Sequence, residues 1–257
     1  MFASWSALVG LSAPSLAFLL ACAFLAGLAR GFSGFGAALI FVPLASTTLG
    51  PQMAAPLLLL IDGVMSLGLI PNAWRKAERR EVAIMAIGAL LGVPIGTWLL
   101  AHSDPTAIRW GISVLCLSLL GLLISGWRYR GRPAPTLTAG VGAVAGFFSG
   151  VAQVGGPPVV AYCLGRAAKA PAAVRADIVI YFAFSTVLTA ITYVAGGLLG
   201  ATVLALGLLT GPAYGIGLFT GARLFGLASE TAFRRLCYGL IGAATLLSLP
   251  VFDGVLR

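Results

Sequence analysis

Apolar runs long enough to cross a membrane recur along the whole of this 257-residue chain. A helix of about 20 apolar residues spans the hydrocarbon core of a bilayer. The runs lie at 13–49, 51–71, 82–101, 106–125, 137–164, 177–199, 201–222 and 236–250. They predict an all-α, multi-pass integral membrane protein in which a single domain, residues 1–257, fills the whole length.

Composition excludes the main classes of soluble protein. Hydrophobic residues make up 60% of the chain and charged residues 9%, whereas about 25% of the residues in an average soluble domain are charged. So few charges cannot cover a surface in water, which excludes a soluble enzyme, a nucleic-acid-binding domain and a disordered chain. The net charge of +9 comes from sparse bases between the apolar runs, a pattern typical of membrane loops and not of a nucleic-acid-binding face.

No metal or organic cofactor is expected. The four cysteines, Cys22, Cys116, Cys163 and Cys237, each lie inside an apolar run, and none belongs to a Cys-x-x-Cys pair. His102 is the only histidine, which is too few for a histidine-ligated zinc or haem site.

Two of the apolar runs are broken by glycine and proline. The run 13–49 is too long for one span and carries in its middle the sequence Arg30-Gly31-Phe32-Ser33-Gly34-Phe35-Gly36. The run 137–164 contains Gly155-Gly156-Pro157-Pro158. Such residues interrupt the hydrogen-bond ladder of a helix. Irregular backbone at membrane depth is tolerated only where it is buried or lines a watery cavity, so both breaks are candidate functional sites.

The chain also repeats itself. Gly31-Phe32-Ser33-Gly34 in the first broken run returns as Phe147-Phe148-Ser149-Gly150 in the second. Three unbroken apolar runs follow each broken one. We therefore predict two structural repeats, residues 1–130 and 131–257, each made of a broken segment and three transmembrane helices.

Two topologies fit these repeats. If each broken segment is a re-entrant hairpin, the repeats are inverted and the basic loops lie on one side of the membrane; these loops are 72–81, 126–136, 165–176 and 223–235. If each broken segment crosses completely, the repeats are parallel, there are eight spans, and the basic loops divide between the two sides. The positive-inside rule favours the inverted topology.

Inverted repeats with broken segments are typical of transporters, whose substrate sites lie near the midplane where helix N-termini point at anionic groups. An N-terminus offers unpaired backbone N–H groups and a partial positive charge. The candidate substrate-binding residues are glycines that admit an anion to the backbone, hydroxyl and amide donors, and a proline at the bend: Gly34, Gly36, Gly150, Gly155, Gly156, Ser33, Ser149, Gln153 and Pro157. The alternative is that the glycines serve only close helix packing.

Charged residues inside apolar runs are further candidates. Arg30 lies far from any loop and is a candidate anion ligand, or else part of a salt bridge. Asp62 lies in the middle of an unbroken run and is the candidate for proton coupling, or else a structural partner of Arg30. Asp177 is expected to cap the helix that it begins or to form an ion pair in the loop before it. Arg109 and Arg234 are expected to anchor helices at the membrane interface rather than to bind substrate.

Glycines spaced four residues apart form three series. Small residues at this spacing let helix backbones approach closely, so we expect each series to lie at a helix–helix contact. The series are Gly88, Gly92 and Gly96; Gly142, Gly146 and Gly150; and Gly207, Gly211 and Gly215.

The broken segments resemble those of a known family. The stretch from Gly31 to Gly36 with Pro43, and the stretch from Gly146 to Pro158, look like the TauE/SafE family of sulfite exporters, and the likeness extends over essentially the whole chain. The resemblance implies a multi-pass transporter of the bacterial inner membrane that carries sulfite, thiosulfate or an organosulfonate.

We therefore expect a secondary transporter of a small anion that is coupled to protons and works by alternating access. Sulfite or an organosulfonate is the expected substrate. Its partners would be the anion, protons and the lipid bilayer, with no nucleic acid and no enzymatic activity.

Three alternatives stay open at this point. The first is an anion channel, and the second is a transporter of a carboxylate without sulfur. The third is an intramembrane hydrolase, because Gly31-Phe32-Ser33-Gly34 matches a serine protease string. Such a serine needs a histidine base within hydrogen-bond reach, and His102 falls in a predicted outer loop.

Overall fold

The computed structural model describes residues 10–34, 36–129, 131, 134–164, 170–224 and 230–252. The side chains of Ser33, Pro171, Phe252 and residues 230–234 lie outside this description. Within these ranges the chain is helical and contains no strand. The predicted all-α class is confirmed.

Helices α1 to α11 follow one another along the chain. In order they are Ala13–Ser33, Ala37–Leu49, Pro51–Ser66, Ile70–Lys76, Arg79–His102, Pro105–Ser125, Pro135–Ala152, Gly156–Cys163, Pro171–Ala195, Ala201–Leu224 and Glu230–Leu247. Short 3₁₀ turns lie at Leu67–Leu69 and Pro250–Phe252. Proline stands in the first turn of α1, α4, α7, α8 and α9, where its missing N–H costs no helix hydrogen bond.

In the part of the chain that the structure describes, seven helical stretches are long and apolar enough to cross a membrane. They are α1, the continuous stretch through α3 and α4, α5, α6, α7, α9 and α10. Large apolar side chains on these helices stay exposed, including Leu91 at 68% and Leu208 at 77%, as is expected of faces that contact lipid tails. A multi-pass membrane protein is confirmed, and α2 and α8, with 13 and 8 residues, are too short to span alone.

The helices group into two compact units. The first unit comprises Met1–Ile61, Asp104–Leu117 and Leu199–Arg257, and the second comprises Asp62–Ser103 and Ser118–Leu198. Neither unit is one half of the sequence. Each contains the broken segment of one predicted repeat together with a glycine-bearing helix of the other: α1 and α2 with α10 in the first unit, and α7 and α8 with α5 in the second.

In the second unit, α5 packs along α7 with the two backbones in direct contact. A Cβ atom on Gly92 would strike the carbonyl oxygen of Ala143, and one on Gly150 would strike the carbonyl oxygen of Val93. The same holds for the other members of the first two glycine series, Gly88, Gly96, Gly142 and Gly146, which also face backbone or Cβ atoms of the opposite helix. Close packing is confirmed for these two series.

In the first unit, α1 packs along α10 in the same way. A Cβ atom on Gly31 would strike the carbonyl oxygen of Leu218, and one on Gly217 would strike that of Phe24. The prediction for the third glycine series fails at Gly211, which has open space where a Cβ would stand, whereas a Cβ on Gly207 would lie 3.7 Å from a side-chain atom of Leu60. The glycines that make this contact lie farther along α10, where the backbones of the two helices meet.

The two contacts also correct the sequence alignment of the broken segments. The short sequence motif placed Gly31 opposite Phe147, but the backbone contact that Gly31 makes in the first unit is made by Gly150 in the second. The helix ends agree, because Gly34 and Gln153 are the left-handed residues that follow α1 and α7. The sequence alignment is therefore wrong by three residues.

Helices α7 and α8 form a hairpin. The hydroxyls of Thr138, near the start of α7, and Tyr162, near the end of α8, lie 2.6 Å apart. The backbone N–H of Tyr129, ahead of α7, donates to the carbonyl of Ala161 at 3.1 Å. The end of α8 thus lies beside the start of α7, and the re-entrant topology stays a prediction.

Asp177 caps a different helix from the one predicted. Helix α9 begins at Pro171, so Asp177 lies inside it and cannot be its N-cap. Its Oδ1 atom instead accepts the backbone N–H of Glu78, the N-cap residue of α5, at 2.6 Å. Asp177 is buried, and it ties α9 to the start of α5 within the second unit.

Arg109 is buried and does not anchor a membrane interface. It is 7% exposed, and its guanidinium donates to the carbonyl of Ser248 at 3.0 Å. The hydroxyls of Ser113 and Ser248 lie 3.2 Å apart beside it. Arg109 therefore connects α6 to the end of α11 within the first unit, and the predicted interfacial role is wrong.

Substituting Gly92 with alanine tests the close contact of α5 and α7. The new methyl group would collide with the backbone of α7, so we expect Gly92→Ala to lower the free energy of unfolding by about 1–3 kcal/mol. Gly121→Ala is the matched control, because Gly121 is an exposed helical glycine with open space around it. The control should be neutral or slightly stabilising. Equal thermal unfolding of the two variants in detergent would contradict the packing.

Candidate functional site

The break of the second unit is centred on a left-handed glutamine. Helix α7 ends at Ala152, and Gln153 follows with φ 60° and ψ 17°. Among the described residues it is the one residue other than glycine with a positive φ. This conformation costs a non-glycine residue roughly 1–3 kcal/mol, so the surrounding contacts must hold it.

Gln153 is held by the carbonyl end of α7. Its backbone N–H and its Nε2 both donate to the carbonyl of Ser149, each at 3.0 Å. The next residue, Val154, donates its backbone N–H to the carbonyl of Phe148 at 3.3 Å. The last carbonyls of α7 are therefore bound by the turn that ends the helix.

Tyr193 of α9 completes this arrangement. Its side chain is fully buried, and its hydroxyl donates to the carbonyl of Gly150 at 2.9 Å. The Nε2 atom of Gln153 lies 3.5 Å from the same hydroxyl. Sequence reasoning missed Tyr193, because a tyrosine near the end of an apolar run has the ordinary appearance of an interfacial residue.

The N-terminal end of α8 differs from the carbonyl end of α7 in its side-chain contacts. Gly155 is its N-cap residue, and no side chain in the described part of the chain caps it. Pro157 and Pro158 carry no N–H, so the unpaired backbone donors at this end of the helix are those of Gly155 and Gly156. The Cα of Gly155 packs so closely on the Oγ atom of Ser149 that a Cβ would strike it. A hydroxyl thus lies beside the positive end of α8.

The break of the first unit also joins the end of a long helix to the start of a short helix, but different residues line it. Gly34 ends α1 with φ 76°, and Gly36 precedes α2 with φ 100°. Within the described residues, no side chain caps α2, and no proline occupies its first turn. All of the first N–H groups of α2 are therefore donors. The side chain of Ser33, predicted to bind substrate here, lies outside the described residues.

Arg30 lies at this break, as predicted. It occupies the last turn of α1, and its guanidinium donates to the carbonyl of Gly34. The positive charge is thus held at the carbonyl end of α1, where it offsets the negative end of the helix dipole. In the aligned position of the second unit, Ser149 occupies the place of Arg30, so the second break carries no charge of its own.

Asp62 lies in the second half of α3, inside a span, as the sequence predicted. Its side chain is half-buried. The neighbouring Gly63 packs on α9, where a Cβ atom would lie 3.2 Å from the methyl group of Thr186. The predicted pairing of Asp62 with Arg30 stays a prediction, as does the role in proton coupling.

The predicted substrate residues thus fall into two sets. Arg30, Gly34 and Gly36 come together at the break of the first unit. The other set is at the break of the second unit and consists of Ser149, Gly150, Gln153, Gly155, Gly156 and Pro157. Each set combines an uncapped helix N-terminus with a carbonyl end that is covered by hydrogen-bond donors. Such a break presents donors and a partial positive charge, which suits an anion.

Comparison with known protein families decides the assignment. The family model described as sulfite exporter TauE/SafE matches residues 19–248. The chain belongs to the TauE/SafE family. The match includes both breaks and every helix from the second turn of α1 onward, so the resemblance seen in the sequence is confirmed. Searches of curated proteins and of solved structures found no match.

Membership of TauE/SafE makes this protein a membrane transporter. One cluster of possible metal ligands occurs among the described residues, formed by Glu78, Glu81 and Asp177, whose ligand atoms lie within 4.8 Å of one another. The buried carboxylate of Asp177 already caps α5. Asp177 therefore has a structural role at the start of α5, and the two breaks are the candidate site.

Substituting Gly155 with alanine tests the close contact between α8 and Ser149. The added methyl group would collide with the Ser149 hydroxyl and the carbonyl of Ala145, so we expect α8 to shift and the variant to lose about 1–3 kcal/mol of stability. Gly140→Ala is the matched control on the same hairpin, because Gly140 is exposed with open space around it. Thermal unfolding in detergent compares them, and similar midpoints for the two variants would contradict the described hairpin.

Proposed function

We propose that this protein is a secondary transporter that exports a small sulfur oxyanion, sulfite or an organosulfonate, across the bacterial inner membrane. The observation that carries the proposal is the uncapped N-terminus of α8 beside the covered carbonyl end of α7. The family description supplies sulfite as the substrate to test first.

Sulfite and sulfonates suit such a break because of their charge and shape. Their several oxygen atoms accept hydrogen bonds from different directions, and a helix N-terminus attracts their negative charge. In the second unit, the donors would be the N–H groups of Gly155 and Gly156, the hydroxyl of Ser149 and the amide of Gln153. Gly150 and Pro157 would fix the backbone around the anion.

In the first unit, the donors would be the N–H groups of α2 and the hydroxyl of Ser33. Gly34 and Gly36 would let the anion approach the backbone, and Arg30 would supply a positive charge while it holds the carbonyl end of α1. The proposal has access to the anion alternate between the two faces of the membrane, with the predicted repeats inverted and their breaks near the midplane.

Thermal stability of the purified protein against a panel of anions tests the substrate class. The panel contains sulfite, thiosulfate, sulfate, sulfoacetate, taurine, malate and chloride. A ligand at 100 times its dissociation constant stabilises the folded state by about 2.7 kcal/mol, which raises the unfolding midpoint of a protein of this size by roughly 5–10 °C. We expect this shift with sulfite or a sulfonate, and loss of the shift in Ser149→Ala and Arg30→Ala.

The control variant is Ser125→Ala, because the hydroxyl of Ser125 donates to the carbonyl of Leu122 on an exposed part of α6. It should bind like the unmodified protein. A shift with malate alone would remove sulfur anions as substrates. No shift with any anion would overturn the anion site itself.

Replacing Asp62 with asparagine tests proton coupling. A carboxylate can carry a proton across a span, whereas an amide cannot, so we expect Asp62→Asn to abolish sulfite transport driven by a pH gradient in proteoliposomes. Exchange of sulfite for sulfite should persist. Asp104→Asn is the control, because Asp104 is an exposed carboxylate that caps α6. An unchanged response of Asp62→Asn to the pH gradient would remove the coupling role.

A further inference from the structure

The carbonyl end of α7 places negative charge next to the proposed anion site at the second break. The end of a helix carries a partial negative charge of about half an elementary charge, and here it lies next to the N-terminus that would bind an anion. Two side-chain donors reach these carbonyls. Gln153 binds the carbonyl of Ser149, and Tyr193 binds the carbonyl of Gly150.

We propose that Tyr193 is a positioning residue for the anion site, and that its hydroxyl makes this break selective for anions. This inference rests on the proposed function. By donating to the carbonyl of Gly150, the hydroxyl covers part of the negative end of α7. It also lies beside the amide of Gln153 and so fixes the left-handed turn that leads into α8.

The same geometry argues against direct contact between Tyr193 and the substrate. The hydroxyl has a single proton, and that proton is engaged by the carbonyl of Gly150. The side chain is fully buried. Tyr193 therefore acts on the anion through the backbone of α7 and the orientation of Gln153.

Tyr181 provides a matched comparison within the same helix. It is also fully buried, and its hydroxyl also donates to a backbone carbonyl of α7, that of Gly142, at 2.9 Å. Gly142 lies in the middle of α7, more than two turns from its end. Removing either hydroxyl removes one hydrogen bond to a backbone carbonyl of α7. Of the two tyrosines, only Tyr193 makes that bond at the break.

The experiment compares Tyr193→Phe with Tyr181→Phe, since phenylalanine keeps the buried ring and removes only the hydroxyl. We expect both variants to lower the unfolding midpoint without ligand by a similar amount. Tyr193→Phe should also raise the KM for sulfite in proteoliposomes about five- to tenfold, the factor that corresponds to one hydrogen bond, with kcat unchanged. Tyr181→Phe should leave both constants unchanged.

Equal KM values for the two variants would overturn the positioning role and leave the proposed function intact. An unmodified protein that binds and transports no anion would overturn the proposed function itself. If Tyr193→Phe does not fold, Tyr193→Met and Tyr181→Met take the place of the pair, because methionine is apolar and flexible and carries no hydroxyl. Equal KM values for sulfite in that pair would overturn the positioning role in the same way.

Discussion

The hydrocarbon core of a bilayer offers no hydrogen-bond partner to a polypeptide backbone, so a break in a membrane-spanning chain needs partners within the protein. Each break leaves the carbonyl end of a long helix and the N–H end of a short helix side by side. The carbonyl ends are covered by Gln153 and Tyr193 in the second unit and by Arg30 in the first. The N–H ends receive no side-chain cap within the described residues. The backbone groups that stay uncapped at each break are therefore hydrogen-bond donors, and donors are what bind an anion.

Close helix–helix contacts at glycines also hold each unit together. Because α5 and α7 touch backbone to backbone through Gly92 and Gly150, the broken segment of one predicted repeat rests on a helix of the other. The same exchange joins α1 to α10 through Gly31 and Gly217. Neither half of the chain therefore forms a unit without the other half. A methyl group at any of these positions would push apart the helices that hold a break.

Much of this architecture could be read from local sequence. Hydropathy predicted the membrane class, and glycine and proline located both breaks, because these properties act within a few residues. The predictions that failed concerned partners distant in sequence. A four-residue motif misaligned Gly31 by three positions, since a short match says nothing about which backbone atoms face each other. Asp177 and Arg109 were assigned to local roles, yet one caps α5 and the other binds the carbonyl of Ser248.

By itself, the sequence determined that this protein is a multi-pass helical membrane protein with two broken segments and a TauE/SafE motif in each, because apolar length and helix-breaking residues suffice for that. Only the tertiary structure decided which helix supports each break, and that Tyr193 covers the carbonyl end of α7. The physical reason is that a hydrogen bond between α7 and α9 depends on how the two helices pack. The order of residues along the chain does not show which helix surfaces meet.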